Sequence, residues 1–571
     1  MDEKIDKVIG LAGNENCYQY FTLVVIVFLW INCNFISIVI PFLEREPIIN
    51  YRDKHGEHFN VTLTNEICKR IHDFHGNNFE IVQKFKYSWV SEYGIECKKV
   101  EVGLIGSFAF IGNTAGGLIF SVINKLISHK KILIISSFGY CIATFLCTLI
   151  KSHDYFIYLL LCEIFMGLFG NCLCYSSMVI AQEVVSNKKR SLFSSIINVG
   201  YSLCGVLYSL AFYFVQDWRF VFYIDTGASF FTLILIWVFI YDSPREYINN
   251  KNYKKTMKIL EGIASFNGKL DEFRESIKQE EYQEFINEIK GEEIVKVKDN
   301  ENGEKNEKIK DESSLEIDQI NDSKNPDISS SLIIQEKSNL ENLSGLKEIE
   351  EKNKKNIEKN SKINKINVWS LFKYPSITSK FLILNFLWLG TRLTFNGIAI
   401  SSKSFPGNFY INIIILFIIE SISYCISGCL IEIKKLGRKG SLWIQYILII
   451  LTFFLLAFLK LDTIPTLSLN FIARFCICGI EVIYYTYSLE LYPTPVRSVA
   501  FGINATFGNG GSILAPMLLE FLPNWFFLTL LALFCGLNSF LIIFLPETVG
   551  KPMAETIEEM EKLDKEDEKD N

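Results

Sequence analysis

Six ionisable side chains stand inside long apolar stretches of this sequence: Glu163, Asp225, Arg392, Glu420, Arg474 and Glu481. A charge held away from water is costly unless it is paired or faces a wet cavity, so each is a candidate for binding a charged solute or relaying a proton. Arg474, Cys478 and Glu481 fall at i, i+4 and i+7 and share one helical face. Two turns separate these charges by about 10 Å, so they either bracket a ligand or pair with other helices. Asn385, Trp388, Arg392 and Asn396 form a polar stripe that either packs on a neighbour or faces a cavity. The arginine favours the cavity. Asp225 lies near one end of its stretch, where reaching water is the expectation, and Glu420 suits packing, gating or binding equally.

Other chemistries are poorly served. All six histidines (His55, His58, His72, His75, His129 and His153) fall outside the apolar stretches, against membrane oxygenases that ligate iron with histidine. The pairs His55/His58 and His72/His75 read better as solvated side chains than as ligands, and no metal is expected. Cys172-x-Cys174 and Cys476-x-Cys478 lack zinc-site spacing. Cys68 and Cys97 are the candidates for pairing in their loop. No Gly-x-x-x-x-Gly-Lys-Ser/Thr loop is present. The expectation is therefore a protein that is not an enzyme, with no catalytic residues, no cofactor and no internal ATPase.

The chain that positions these residues has 571 residues, 49% hydrophobic and 21% charged, with a mean hydropathy of +0.23. The net charge of -6 is carried by the tail from Glu547, which holds ten acids against four lysines. A basic nucleic-acid footprint is excluded, and the bilayer is the expected partner. Runs of about 20 apolar residues mark membrane spans, and twelve are present: Tyr20 to Ile40, Glu101 to Leu126, Lys131 to Ile150, Tyr155 to Ala181, Leu192 to Phe214, Phe220 to Tyr241, Phe381 to Ser401, Tyr410 to Ile433, Ser441 to Leu459, Thr466 to Leu489, Ala500 to Phe521 and Trp525 to Leu545. The polar, acidic first eighteen residues precede a full-length span and do not read as a cleaved leader.

Lysine and arginine crowd the loops after spans two, four, eight and ten, which predicts that both termini are cytoplasmic. The expected organisation is an N-terminal half, 1–241, a cytoplasmic connection, 242–376, a C-terminal half, 377–546, and an acidic cytoplasmic tail, 547–571. The outer loop 42–99 carries Asn60-Val61-Thr62, a glycosylation acceptor in a lumenal or extracellular loop. From about Asp271 to Asn367 the connection is too polar to bury a core and reads as a disordered linker.

An internal repeat divides the chain. Glu183, Arg190, Ser191 and Trp218 recur as Glu490, Arg497, Ser498 and Trp525 at a constant offset. Two parallel six-helix halves define an all-α rocking-bundle transporter with its solute site near midplane. Glu183, Arg190, Glu490 and Arg497 stand at cytoplasmic helix ends, where they either pair to hold the halves together or anchor the helices at the headgroups. Glu163 and Glu481, in corresponding spans four and ten, are expected to face the cavity from opposite sides.

Ser243-Pro244-Arg245, Ile263-Ala264-Ser265-Phe266-Asn267-Gly268, Glu490 to Arg497, Gly511 to Pro516 and Pro546-Glu547-Thr548-Val549-Gly550-Lys551-Pro552 resemble the organic cation, anion and carnitine transporters of the major facilitator superfamily. Each motif alone is shared with sugar porters. The resemblance implies the twelve-helix major facilitator fold, a small organic solute as partner and a gating loop after span eight, here Glu432 with Gly437-Arg438-Lys439. The matching loop after span two is degraded to Asn124 to Lys131. Span four has Glu163 where the resemblance implies an arginine, and the selectivity position of span eleven is the neutral Asn509. Three acids, Glu163, Glu420 and Glu481, against Arg392 and Arg474 tilt the expectation towards an organic cation, with a proton or ion as coupling partner. A sugar or other neutral-solute facilitator is the runner-up, and a channel or receptor the different-class alternative. The expected location is the plasma membrane or an endomembrane.

Overall fold

The computed structural model describes residues 8–549 apart from 14–15, 46–47, 54–57, 63–78, 85–87, 96–97, 125, 186–189, 250–251, 279–371, 373 and 431–435, together with residue 560. Among the described residues twelve spans are formed. Span 1 is broken at Asn34 into Cys17–Cys33 and Phe35–Leu43, and Asn34 Nδ2 donates to the Trp30 carbonyl at the break (3.1 Å). Spans 2 to 6 are Lys99–Ile123, His129–Leu149, Phe156–Glu183, Arg190–Val215 and Trp218–Phe239. Spans 7 to 12 are Pro375–Ser401, Phe409–Leu430, Gly437–Phe458, Thr463–Glu490, Thr494–Phe521 and Asn524–Leu541. Eleven are long and apolar enough to cross a bilayer by length and composition. Span 11 is long enough at 28 residues, with asparagines and glycines diluting its apolar content. Span 7 starts six residues before its apolar run because Pro375, with no N–H to leave unpaired, opens the first turn.

Large side chains such as Ile135, Phe138, Phe230 and Phe454 stay exposed, as lipid-facing residues must. Inside each half, glycines bring backbones together. Cβ atoms on Gly112 and Gly116 of span 2 would strike the Ile164 and Leu168 carbonyls of span 4, and one on Gly511 of span 11 would strike the Leu389 carbonyl of span 7.

Both halves cap their third helix with an acid from beyond their last. The Glu547 carboxylate accepts from Arg438 N (2.9 Å) and Lys439 N (3.0 Å), while Asp242 accepts from Lys130 N (3.2 Å). Gly437, at φ +68°, makes the turn that presents the first set of N–H groups.

One end of the bundle carries a three-stranded antiparallel sheet, β1 (Ile48–Asp53), β2 (His58–Thr62) and β3 (Phe79–Lys84), in the order β2-β1-β3. Asn60 lies on β2 opposite Asn50. The helix Trp89–Tyr93 fastens this region to spans 3 and 6: Trp218 Nε1 donates to Glu92 (2.6 Å), which also pairs with Arg219. The other end carries the helices Pro244–Asn249, Tyr253–Phe266 and Leu270–Ser276. Here the chain departs from the expectation of a linker beginning near Asp271, because Phe273 is buried and extends the helical region. The remainder of that stretch, with Cys68 and Cys97, lies outside the described residues.

Candidate functional site

Two ion pairs cross between spans of the second half. Arg392 of span 7 pairs with Glu481 of span 10 (2.8 Å), and Arg474 of span 10 pairs with Glu420 of span 8 (2.6 Å). The separation of Arg474 and Glu481 is thereby resolved: each pairs with another helix. The Arg474–Glu420 pair is sealed, with side-chain exposures of 2% and 0%. Arg474 also donates to the Phe395 carbonyl (2.8 Å), its guanidinium lies 4.0 Å from the Phe395 ring, and Tyr424 donates to Glu420 (2.6 Å). This pair is closed off from water and braces spans 8 and 10.

The other pair is open. Arg392 keeps 20% of its side chain exposed, lies 5.6 Å from the Trp388 ring and donates to Tyr485 Oη (2.7 Å). Trp388, Tyr485 and Phe501 pack edge to face or tilted, with centroids 5.1–5.9 Å apart. Tyr485 is 39% exposed yet has Tyr175 of span 4 among its electrostatic neighbours, so its exposed face looks across to the first half. Tyr201 of span 5 likewise feels Glu420, Arg474 and Glu481. Arg392 Nε and Glu481 Oε2 have no hydrogen-bond partner among the described residues. Both atoms are themselves buried, so a spare donor and a spare acceptor lie beneath the partly exposed Arg392 and Tyr485 side chains.

Asn396 belongs to the framework, donating to Ser512 (2.9 Å) and the Arg392 carbonyl (3.1 Å). Asn509 is half-buried, one residue beyond Gly508, whose Cα faces Trp388. Glu163 is not opposite Glu481. It is fully buried inside the first half, with neither carboxyl oxygen hydrogen-bonded to a described residue, and its electrostatic neighbours are Glu44 and Cys147 at the sheet end. The rotation of span 4 follows from the Gly112 and Gly116 contacts, which no apolar run reveals. Asp225 does not reach water: it is fully buried and accepts from Tyr208 Oη (2.6 Å), because span 6 turns this face towards spans 1 and 5.

Of the helix-end charges, Glu490 forms an ion pair within its own half. Glu490 binds Arg438 (2.9 Å) and Thr548 (2.6 Å), all of the second half, and Arg497 donates to the Tyr492 carbonyl (3.1 Å). In this state Glu490 and Arg497 thus brace one half rather than bridge two. The Glu183 carbonyl accepts from Arg245 (3.4 Å). Arg190 opens span 5, and its side chain, like Glu432, lies outside the described residues.

Contacts between the halves concentrate at the sheet end. Ser107 donates to the Ile513 carbonyl (2.9 Å), and Phe42 packs on Phe409 and Tyr410 at 5.1 and 5.9 Å. A Cβ on Gly103 or Gly106 would lie 2.8 or 2.7 Å from Met517 or Pro516. Towards the linker end the approach loosens, and a Cβ on Gly117 would lie 3.9 Å from Thr506. Sequence reasoning missed one bridge at the sheet end: Lys403 of the second half binds Glu44 of the first (2.9 Å) and also Glu520. Glu44 and Lys403 fall outside the apolar runs and Glu520 is the penultimate residue of its run, so only their shared end of the bundle hinted at it.

Two six-helix halves closed at one end, with charged and aromatic side chains between them, define a membrane carrier that works by alternating access. The Major Facilitator Superfamily model matches residues 23–516, and the chain belongs to that family. It is 22% identical to Organic cation transporter 1 of Caenorhabditis elegans, across 99% of this chain and 90% of that protein. To Organic cation/carnitine transporter 2 of Rattus norvegicus it is 22% identical, across 82% and 71%. The inward-open xylose transporter XylE of E. coli shares the fold at TM-score 0.55 and 14% identity, covering 99% of this chain and 100% of that one. The chain is accordingly a multi-pass integral membrane protein and a secondary transporter of a small organic solute.

Proposed function

We propose that the transported solute is an organic cation, received between Glu481 and the faces of Trp388, Tyr485 and Phe501. The observation that carries this is the position of Arg392: a tethered cation already occupies an aromatic and carboxylate site of the kind a solute cation would use. On binding, the solute replaces the guanidinium at Glu481, and Arg392 keeps its hydrogen bond to Tyr485. The support is local, because Arg392–Glu481 and Arg474–Glu420 compensate each other in charge. That compensation, with the neutral Asn509, favours a sugar or other uncharged solute as the second reading. Organic cation transport by two named relatives agrees with the first.

The linker end is read as cytoplasmic from its lysines and arginines, with both termini, the 242–376 connection and the 547–571 tail on that side and the sheet outside or in the lumen. Glu163, a buried carboxyl without a hydrogen-bond partner among the described residues, is read as the holder of a coupling proton. Counterflow in proteoliposomes tests the assignment: trans-loaded tetraethylammonium should accelerate entry of its labelled form, and glucose should not. Acceleration by glucose alone would establish the second reading, and exchange of no solute would favour a channel or receptor.

A further inference from the structure

We propose that Glu44, Lys403 and Glu520 form a proton-binding latch, which takes up one proton from the sheet side as the halves close there and returns it as they part. Glu44 follows span 1, whereas Lys403 follows span 7 and Glu520 ends span 11, so the cluster exists only while the two halves meet. It is enclosed: side-chain exposures are 0% for Glu44, 12% for Lys403 and 15% for Glu520.

Two carboxyls meet one ammonium, and among the described residues no further cation makes up the difference. Arg45, the next residue, turns its guanidinium over the Phe409 and Tyr410 rings of the second half, at 4.6 and 5.2 Å. Span 2 offers only the close backbone of Gly106, whose Cβ would lie 3.0 Å from Glu44 Oε1. Span 4 adds a further acid, Glu163, within electrostatic range of Glu44. Lys403 bonds Glu44 Oε2, leaving Oε1 buried with no hydrogen-bond partner among the described residues. An enclosed excess carboxylate with one orphaned oxygen is relieved by a proton on that oxygen, at little cost to the Lys403 contact.

Burial holds the Glu44 carboxyl up to about 7; Lys403, and more weakly the nearby Gly106 N–H, which falls short of a formed hydrogen bond, pull the other way without prevailing. Once the halves part and Glu44 meets water, its affinity returns to about that of a free glutamate, ~4.3. The closed state therefore binds the proton more tightly, so closing at the sheet end is favoured as pH falls. Between pH 8 and pH 6 a single such group changes the closed-to-open ratio about tenfold.

This rests on the alternating-access reading but needs no solute, so its failure and a failed solute assignment are separately visible. The full chain in lipid nanodiscs would carry nitroxides at Asp154→Cys and Lys460→Cys, exposed sheet-end sites of opposite halves, with the exposed Cys17 and Cys425 replaced by Ser. Pulsed electron-spin distances should show the close population gaining about tenfold on the distant one from pH 8 to pH 6. In Glu44→Gln the ratio should favour closure and ignore pH, and the infrared carbonyl band of the protonated carboxyl should be lost from that range. Glu520→Gln, an independent variant should Glu44→Gln fold poorly, should move the step to lower pH by leaving Lys403 to Glu44 alone. A pH-independent ratio in the parent chain, a full tenfold step in Glu44→Gln, or an unmoved step in Glu520→Gln would each overturn the latch.

Discussion

Arg474 and Arg392 have the same chemistry and opposite roles, and burial separates them. Arg474 is sealed with Glu420, and its charge is consumed by the fold. Removing one member of such a pair strands the other, at about 3–5 kcal/mol, whereas apolar replacement of both is often tolerated. Arg474→Met should therefore lower the thermal unfolding midpoint markedly, and Arg474→Met with Glu420→Leu should recover much of it; an additive double variant would show that the two do not act as a pair. Arg392 keeps part of its side chain exposed and holds the buried Glu481, so their variants should act on transport. Glu481→Gln is expected to cut tetraethylammonium counterflow at least about tenfold, the loss of a contact of ~1.4 kcal/mol or more, with the folded yield unchanged. Undiminished exchange would remove Glu481 from the solute site.

Glycines decide how the spanning helices approach one another, and only some of them matter. Gly112 admits the Ile164 carbonyl of span 4, whereas a Cβ on Gly227 of span 6 would meet nothing within 4 Å. Gly112→Ala should cost about 1–3 kcal/mol by overpacking, read as a lower midpoint in thermal unfolding, while Gly227→Ala should be close to neutral. Equal effects would mean that close approach does not fix the span 2 to span 4 interface. The same contact turns Glu163 into the first half, away from the cavity that corresponding spans would share by symmetry. The repeat is faithful in sequence at Glu183, Arg190 and Trp218, yet the copies diverge in use. Trp218 is 1% exposed and holds Glu92, while Trp525 is 53% exposed.

Over the whole molecule, the halves join at the sheet end and loosen towards the linker end, so this state closes the sheet side. On the proposed orientation, with the linker end cytoplasmic, tags after Asn571 and within 279–367 should be protected in intact cells, and Asn60 should carry glycan in a eukaryotic host. A linker tag accessible from outside would reverse the orientation. Arg438 and Glu490 brace the second half internally, so Arg438→Ala should slow turnover and destabilise that half while leaving solute affinity within about twofold, measured by equilibrium binding of the counterflow solute. A large loss of affinity would place this pair at the binding site instead.

Apolar runs marked the spans, eleven of them by apolar content alone, because about 20 residues suffice to cross a bilayer whatever lies around them. The repeated Glu, Arg, Ser and Trp likewise marked two halves, since duplication preserves spacing. Charges within the runs marked the ion-pair residues of spans 7, 8 and 10, because an unpaired ion in lipid is too costly to persist. Which ion met which was decided in three dimensions: Arg474 and Glu481 share a helix face but bond to different neighbours, by the rotation of packed helices. Asp225 was buried and Glu163 turned inward by contacts with other helices, which hydropathy along a single chain does not encode. Glu44, Lys403 and Glu520 meet across hundreds of residues only when two separately folded halves close together, so their cluster belongs to the tertiary structure alone.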